Sequence, residues 1–241
     1  MSVKRSSKYE RRGAYHWKEL EHKILHYNAM LAARYNFILK AAPKKPSLIL
    51  DFGCGDGYLS YRLAKKGHRV IGCDISMTSL KLAFDQISKQ IDSINITFIR
   101  SSENLPFPEE IFDFVVLADV IEHVPQPHEV LFNLHQVLKP GGKLLLSTPT
   151  RIEGRTWDKR HYKEYSKSEL EDLIKQIFPG YETAEQQPYI FYKLYMSRFL
   201  KLPISRIKIN LLSFLGLNVF SLSKKPVSRL KSCQLYAICT K

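Results

Sequence analysis

Leu48-Ile49-Leu50-Asp51-Phe52-Gly53-Cys54-Gly55-Asp56-Gly57 constrains the fold of this 241-residue chain more than any other stretch. An apolar run closed by an acid and followed by alternate glycines reads as a buried strand that turns sharply into a helix. Glycine lets the backbone turn tightly there and approach a ligand that side chains would block. Arg69-Val70-Ile71-Gly72-Cys73-Asp74 follows as a second short strand ending in an acid. That acid lies about twenty residues beyond the turn, the spacing at which a carboxylate of a doubly wound sheet meets a ribose. The other reading of Asp74 is a cap on the helix expected at 76–91, a task that Ser76 can also perform.

Beyond these two strands the pattern alternates. Strands are expected near 48–52, 69–73, 96–99, 112–117 and 143–148, with helices near 57–66, 76–91, 128–138 and 167–178. A further helix is expected over 18–41, with apolar positions at Leu20, Ile24, Tyr27, Leu31 and Tyr35 and a stop before Pro43. Alternation of this kind predicts an α/β fold, a mainly parallel sheet covered on both faces. Cys233–Thr240 reads as the last strand, with a partner near Tyr181–Tyr192. Residues 1–44 form a basic helical lead, 45–192 the core, 193–230 an insertion and 231–241 the closing strand. Cysteines 54, 73, 233 and 239 lack metal-ligand spacing and predict neither a metal site nor a disulfide framework, which suits a cytoplasmic protein. Met1–Arg12 has no apolar core segment, so no secretory signal is expected.

The glycines are spaced G-x-G-x-G, not the G-x-G-x-x-G that seats a pyrophosphate on a helix N-terminus. With Asp51 ahead of them, they suit a ligand bearing an amino group and a cationic sulfur. Further blocks follow in order: Ser101-Ser102-Glu103-Asn104-Leu105-Pro106-Phe107-Pro108, Phe112-Asp113-Phe114-Val115-Val116, Asp119-Val120-Ile121-Glu122-His123-Val124 and Leu138-Lys139-Pro140-Gly141-Gly142-Lys143. Over residues 45–180 the chain resembles the class I S-adenosylmethionine-dependent methyltransferases. The resemblance implies a doubly wound, seven-stranded, mainly parallel sheet with an antiparallel last strand, and S-adenosyl-L-methionine as cofactor. It implies that Asp51, Gly53, Cys54, Gly55 and Gly57 line the methionine side, that Asp74 and the adjacent Ile75 hold the ribose, and that Ser101, Ser102 and Glu103 edge the adenine. Asp119 would stand near the methyl donor. Relatives often carry an acid where this chain has Ser101, and a hydroxyl or nearby backbone group can take over that hydrogen bond.

Methyl transfer asks first for alignment of acceptor and methyl, and for a hydroxyl acceptor also for a base. His123, one helical turn after Asp119, and His161, in Lys159-Arg160-His161-Tyr162-Lys163-Glu164-Tyr165, are the candidate bases. The alternative for each is a histidine that ties a loop to backbone carbonyls. Tyr15-His16-Trp17 would either fold over the cofactor, as leading segments do in similar enzymes, or serve as ordinary packing.

Net charge is +14, and it is unevenly spread. Residues 1–46 carry 11 basic and 3 acidic side chains, 47–186 carry 16 and 20, and 187–241 carry 10 and none. Basic flanks attract anionic partners such as nucleic acid, phospholipid headgroups or a phosphorylated substrate, or simply confer solubility. Ile209–Ser223 has no charge for 15 residues and is flanked by Arg206, Lys208, Lys224 and Lys225. It is too short to span a bilayer and reads as a lid over the acceptor pocket, as an interfacial helix against an anionic membrane at its inner face, or as a cap packed on the core. The expected activity is O-methylation of a small or lipid-linked acceptor, such as a quinone precursor or a glycan intermediate. The alternatives are RNA or tRNA methylation and a non-catalytic cofactor-binding partner protein.

Overall fold

The computed structural model describes residues 8–21, 26–90, 94–102, 105–154, 156–197, 204–221 and 231–241. Glu103, Lys224 and Lys225 lie outside them.

The chain begins with three helices, α1 (Lys8–Arg12), α2 (Tyr15–Leu20) and α3 (Ala29–Ala41), and then enters β1 (Leu48–Phe52). It continues through α4 (Tyr58–Ala64), β2 (Arg69–Asp74), α5 (Met77–Ile87), β3 (Ile96–Arg100), β4 (Phe112–Ala118), α6 (Pro127–Val137), β5 (Leu138–Pro149) and α7 (Lys167–Ile174). β6 (Gly180–Pro188), α8 (Tyr189–Met196), α9 (Ile204–Phe214) and β7 (Ser232–Thr240) complete it. Seven strands form one sheet in the order β3-β2-β1-β4-β5-β7-β6. The first five are parallel, and β7 runs antiparallel between β5 and β6.

Side chains alternate across this sheet with the period of two that a strand imposes. Leu50, Val115, Leu117, Leu144 and Leu146 face one core with Leu131, Leu134, Leu170 and Phe178. Their neighbours Ile49, Phe114, Val116 and Leu145 face a second core with Trp17, Ile38, Leu59 and Leu63. Both faces of the central strands are therefore dry, and those strands read as continuous apolar runs for that reason.

Several boundaries differ from the sequence reading. The single helix expected over 18–41 is broken. Glu21 and Asn28 adopt extended backbone, and the Asn28 side chain accepts a bond from the Leu31 N–H at 3.1 Å while its amide donates to Glu19 at 2.8 Å. An asparagine that caps a helix in this way starts a new one. β6 stops at Pro188 and not at 192, because proline offers no N–H to the ladder; the Tyr189 N–H still reaches Lys231 O at 2.8 Å as α8 begins. Conversely, β5 starts earlier than expected, at Leu138, with a register shift opposite Phe112–Phe114.

Gly57 shows what holds the first turn. Its φ of 74° is left-handed, and an added Cβ would stand 2.8 Å from Phe98 Cζ and 2.9 Å from the Ala83 Cβ. Gly57→Ala is expected to cost about 2–4 kcal/mol from left-handed strain plus overpacking. A urea unfolding midpoint equal to that of the parent protein would contradict this packing.

Candidate active site

In an open α/β sheet, ligands bind where the strand order reverses, beyond the carboxyl ends of the strands. Here the reversal falls between β1 and β4, and a cavity of about 820 Å³ opens there. Asp51, Gly53, Cys54, Asp74, Ile75, Ser101, Ser102, Asp119, His123 and His161 all line it. Gly55 and Gly57 are not among the lining residues, and Glu103 lies outside the described residues.

The turn after β1 is pinned to the end of β2. The Gly53 and Cys54 N–H groups both donate to Cys73 O, at 2.8 and 3.0 Å, and the Gly55 N–H donates to Asp74 Oδ2 at 3.0 Å. The other Asp74 oxygen accepts from the Ser76 N–H at 2.8 Å, while the Ser76 hydroxyl caps α5 by accepting from the Ser79 N–H at 3.2 Å. Asp74 thus spans turn and helix and still lines the cavity; burial raises its pKa against those two backbone bonds. Asp51 is only 2% exposed and accepts from the Ser60 hydroxyl at 2.5 Å. Burial pushes its carboxyl up to about 6. Cys54 and Cys73 are buried thiols whose pKa values burial raises, so both act as packing and not as nucleophiles.

The amino-terminal segment closes over this turn, and Asp56 is what fastens it. Asp56 is fully buried, and its carboxylate takes the His16 backbone N–H at 3.0 Å and His16 Nδ1 at 2.9 Å. Its carbonyl takes Trp17 Nε1 at 2.8 Å. The Tyr9 hydroxyl lies directly against Gly55, so a side chain at position 55 would collide with it as well as adopt a left-handed φ of 58°. Near the mouth, burial and the neighbouring Arg12 and Arg34 cations push the Lys8 ammonium down to about 8.

The opposite wall comes from the end of β4 and from the loop after β5. Asp119 has φ 54°, and the segment Ile121–His123 is a single 3-10 turn, so the helical-turn spacing expected for Asp119 and His123 is not what presents them. Asp119 Oδ1 accepts from Ser147 Oγ at 3.0 Å and Gln234 Nε2 at 2.8 Å, and its Oδ2 is ion-paired with Arg34 of α3. The His123 and His161 rings meet edge to face, with centroids 4.8 Å apart. His161 Nδ1 lies 2.8 Å from Glu164 Oε1, an oxygen that also accepts the Trp157 N–H at 2.7 Å. A carboxylate only accepts, so Nδ1 carries the proton and Nε2 holds the lone pair of neutral His161. Burial, then the adjacent His161, lowers the pKa of His123. Glu122, 1% exposed, accepts from Thr148 Oγ1 at 3.0 Å, and burial pushes its carboxyl up to about 7. Ligand atoms of Glu122, His123 and His161 all lie within 4.8 Å of one another, a donor set that could hold a divalent cation.

Sequence reasoning passed over Glu122, Asp56, Arg34 and Glu164 as functional residues. Glu122 and Asp56 sat inside quoted motifs. Glu164 stood three residues from His161, and nothing in the sequence linked Arg34 to Asp119, 85 positions away.

Residues 50–146 match the Methyltransferase domain family. Ubiquinone biosynthesis O-methyltransferase of Pseudomonas aeruginosa (strain UCBPP-PA14) is 33% identical over 57% of this chain and 60% of its own length. The enzyme of the same name from Coxiella burnetii (strain Dugway 5J108-111) is 36% identical over 49% of this chain and 50% of its own. The chain thus spans only half to three fifths of these curated relatives. Phosphoethanolamine N-methyltransferase 2 of Haemonchus contortus, solved in complex with S-adenosyl-L-methionine, shares the fold with a TM-score of 0.66 and 23% identity over 95% of this chain and 56% of that one. Residues 50–146 thus match a methyltransferase domain, and the fold is shared with an enzyme solved with S-adenosyl-L-methionine. The cleft has the features such a cofactor needs. A Cβ at Gly53 would collide with Val120, so the backbone there stays bare, and the buried Ser79 hydroxyl lines the cavity with no partner among the described residues.

Glu122 makes stability depend on pH. Its folded value of about 7 lies above the usual 4.5, so the folded state holds a proton that the unfolded chain has released. The contribution is complete below the unfolded value and is lost as pH rises through the folded one. Glu122→Gln removes that loss. In cofactor-free protein the variant should gain on the parent by up to about 3 kcal/mol between pH 5 and pH 8, read from urea midpoints. A gap that stays constant across that range would show that the carboxyl is not held protonated.

Proposed function

We propose that the protein transfers the methyl group of S-adenosyl-L-methionine to a hydroxyl oxygen of a small or lipid-linked acceptor, such as a quinone precursor. The observation that carries this reading is a His161 ring oriented by Glu164 and met edge to face by His123, lining the same cavity as the glycine turn. A hydroxyl must lose its proton as the new bond forms, and an oriented imidazole serves that step. The curated relatives named as ubiquinone biosynthesis O-methyltransferases support the same choice.

In this reading Asp74 accepts hydrogen bonds from the ribose, with Ile75 beside it. The bare backbone of Gly53 and Cys54 runs along the methionine part, with Asp51 behind it, and Gly55 and Gly57 shape the turn. Ser101 and Ser102 border the adenine, and Glu103 extends that edge. The cofactor supplies a methyl on a positively charged sulfur, already activated for in-line displacement. The rest is positioning. Asp119, held by Arg34, Ser147 and Gln234, fixes the end of β4 beside the methyl donor, and the amino-terminal segment anchored on Asp56 excludes water. His161 takes the acceptor proton on Nε2, and the Glu164 carboxylate stabilises the resulting imidazolium through Nδ1–H. His123, kept neutral by burial, prevents a second cation from raising the cost of that charge.

These measurements test the assignment. Asp74→Ala should weaken cofactor binding by about 10- to 100-fold in calorimetry, since each hydrogen bond to a charged acceptor contributes about 1.5–3 kcal/mol; unchanged affinity rejects the ribose role. His161→Ala should lower kcat by about 100-fold or more on a catechol acceptor with cofactor affinity intact, and Glu164→Gln should lower kcat without changing cofactor affinity. Transfer of labelled methyl to tRNA and not to any hydroxylated aromatic would overturn the O-methylation reading.

A further inference from the structure

The α8–α9 pair buries an apolar cluster of Tyr192, Tyr195 and Ile209 against Ala29, Ala33 and Phe220, and polar groups fasten the same inner face. The Tyr195 hydroxyl donates to Asn210 Oδ1 at 3.1 Å, and Asn210 Nδ2 donates to Tyr27 O at 2.7 Å. Asn218 Nδ2 donates to Ala29 O at 2.7 Å. Asn210 and Ser213 are buried on α9, while Leu211 and Phe214 beside them are 45% and 51% exposed, and Leu215 and Leu217 just beyond the helix are 68% and 63% exposed. Leu194 of α8 adds to the same apolar character at 46%. A water-facing helix normally shows the reverse distribution, and exposed apolar patches of this extent mark an interaction site.

The charges beside these side chains say what covers them. From residue 187 to the end of the chain there are ten basic residues and no acidic one. On the pair itself Lys193 sits 5.1 Å over the Tyr189 ring, and Lys208 of α9 is exposed. A second copy on this face would set cations against cations with no acid to offset them. Nucleic acid would find aliphatic side chains where stacking platforms are needed. A lipid surface satisfies both features, because acyl chains take up the leucines and anionic headgroups meet the cations. No helix among the described residues is long and apolar enough to cross a membrane, so contact in the plane of the interface is the geometry left to α9.

We infer that the outer face of α8–α9 docks on an anionic phospholipid surface. The pair reaches the cleft at one remove: Tyr192 packs edge to face on Trp157 with centroids 4.7 Å apart, and Trp157 lines the cavity. Such docking stands on the surface itself and does not require the acceptor to be lipid-linked.

The test is co-sedimentation of the full chain with vesicles of phosphatidylcholine alone and of phosphatidylcholine mixed with phosphatidylglycerol. The protein should pellet with the mixed vesicles and release as salt is raised. Leu211→Glu combined with Leu215→Glu should weaken that binding about tenfold or more, with circular dichroism and cofactor affinity unchanged. Absence of binding, equal binding to pure phosphatidylcholine, or binding untouched by the double variant would each overturn the inference. So would a dimer in analytical ultracentrifugation that the double variant dissociates while vesicles are ignored. Every arm is read without an acceptor, so failure here is separable from failure of the O-methylation reading.

Discussion

Two backbone N–H groups, those of Gly53 and Cys54, converge on the carbonyl of Cys73, and the geometry of the whole cleft descends from that convergence. It fixes the end of β1 against the end of β2, so the Gly55 N–H reaches the Asp74 carboxylate and Asp56 is turned inward. Asp56 in turn draws the amino-terminal helices across the opening through His16 and Trp17. A side chain at position 53 would collide with Val120, so the turn tolerates only a bare backbone there.

Burying carboxylates around this turn is costly unless each is matched by donors or kept neutral. The chain uses both solutions. Asp56 and Asp119 are matched, by His16 in one case and by Arg34, Ser147 and Gln234 in the other. Asp51 and Glu122 each have a hydroxyl donor among the described residues, and burial pushes their values up to about 6 and about 7. The cleft thus contains acids whose charge changes within the neutral range, placed on either side of the cavity.

The insertion follows a different logic from the core. In the sheet, apolar side chains pair across the two dry faces, whereas α9 turns Asn210 and Ser213 inward and its leucines outward. The sequence offered a lid over the acceptor pocket, a cap packed on the core or an interfacial helix as alternatives; in the folded chain the inner face of α8–α9 mixes the buried Ile209, Tyr192 and Tyr195 with Asn210 and Ser213, and its leucines are exposed.

Much of this was legible residue by residue. β1, β2 and β4 could be read because their apolar runs are bounded by an acid or a glycine, and because a strand buried on both faces has little freedom in composition. The glycine turn, Asp74 and the cleft were legible because local spacing alone dictates a turn of that kind. The break between α2 and α3 was not, since the contact that holds Asn28 against Glu19 bridges nine positions while the apolar spacing continued through it. Nor were the Arg34–Asp119 pair, the Glu164–His161 contact or the Glu122, His123 and His161 cluster. Local pattern determines which strands and turns form, because φ and ψ preferences and burial period act over a few residues. Which charged side chains meet inside the cleft was decided only by the tertiary structure, because desolvated pairing depends on distances that chain separation does not encode.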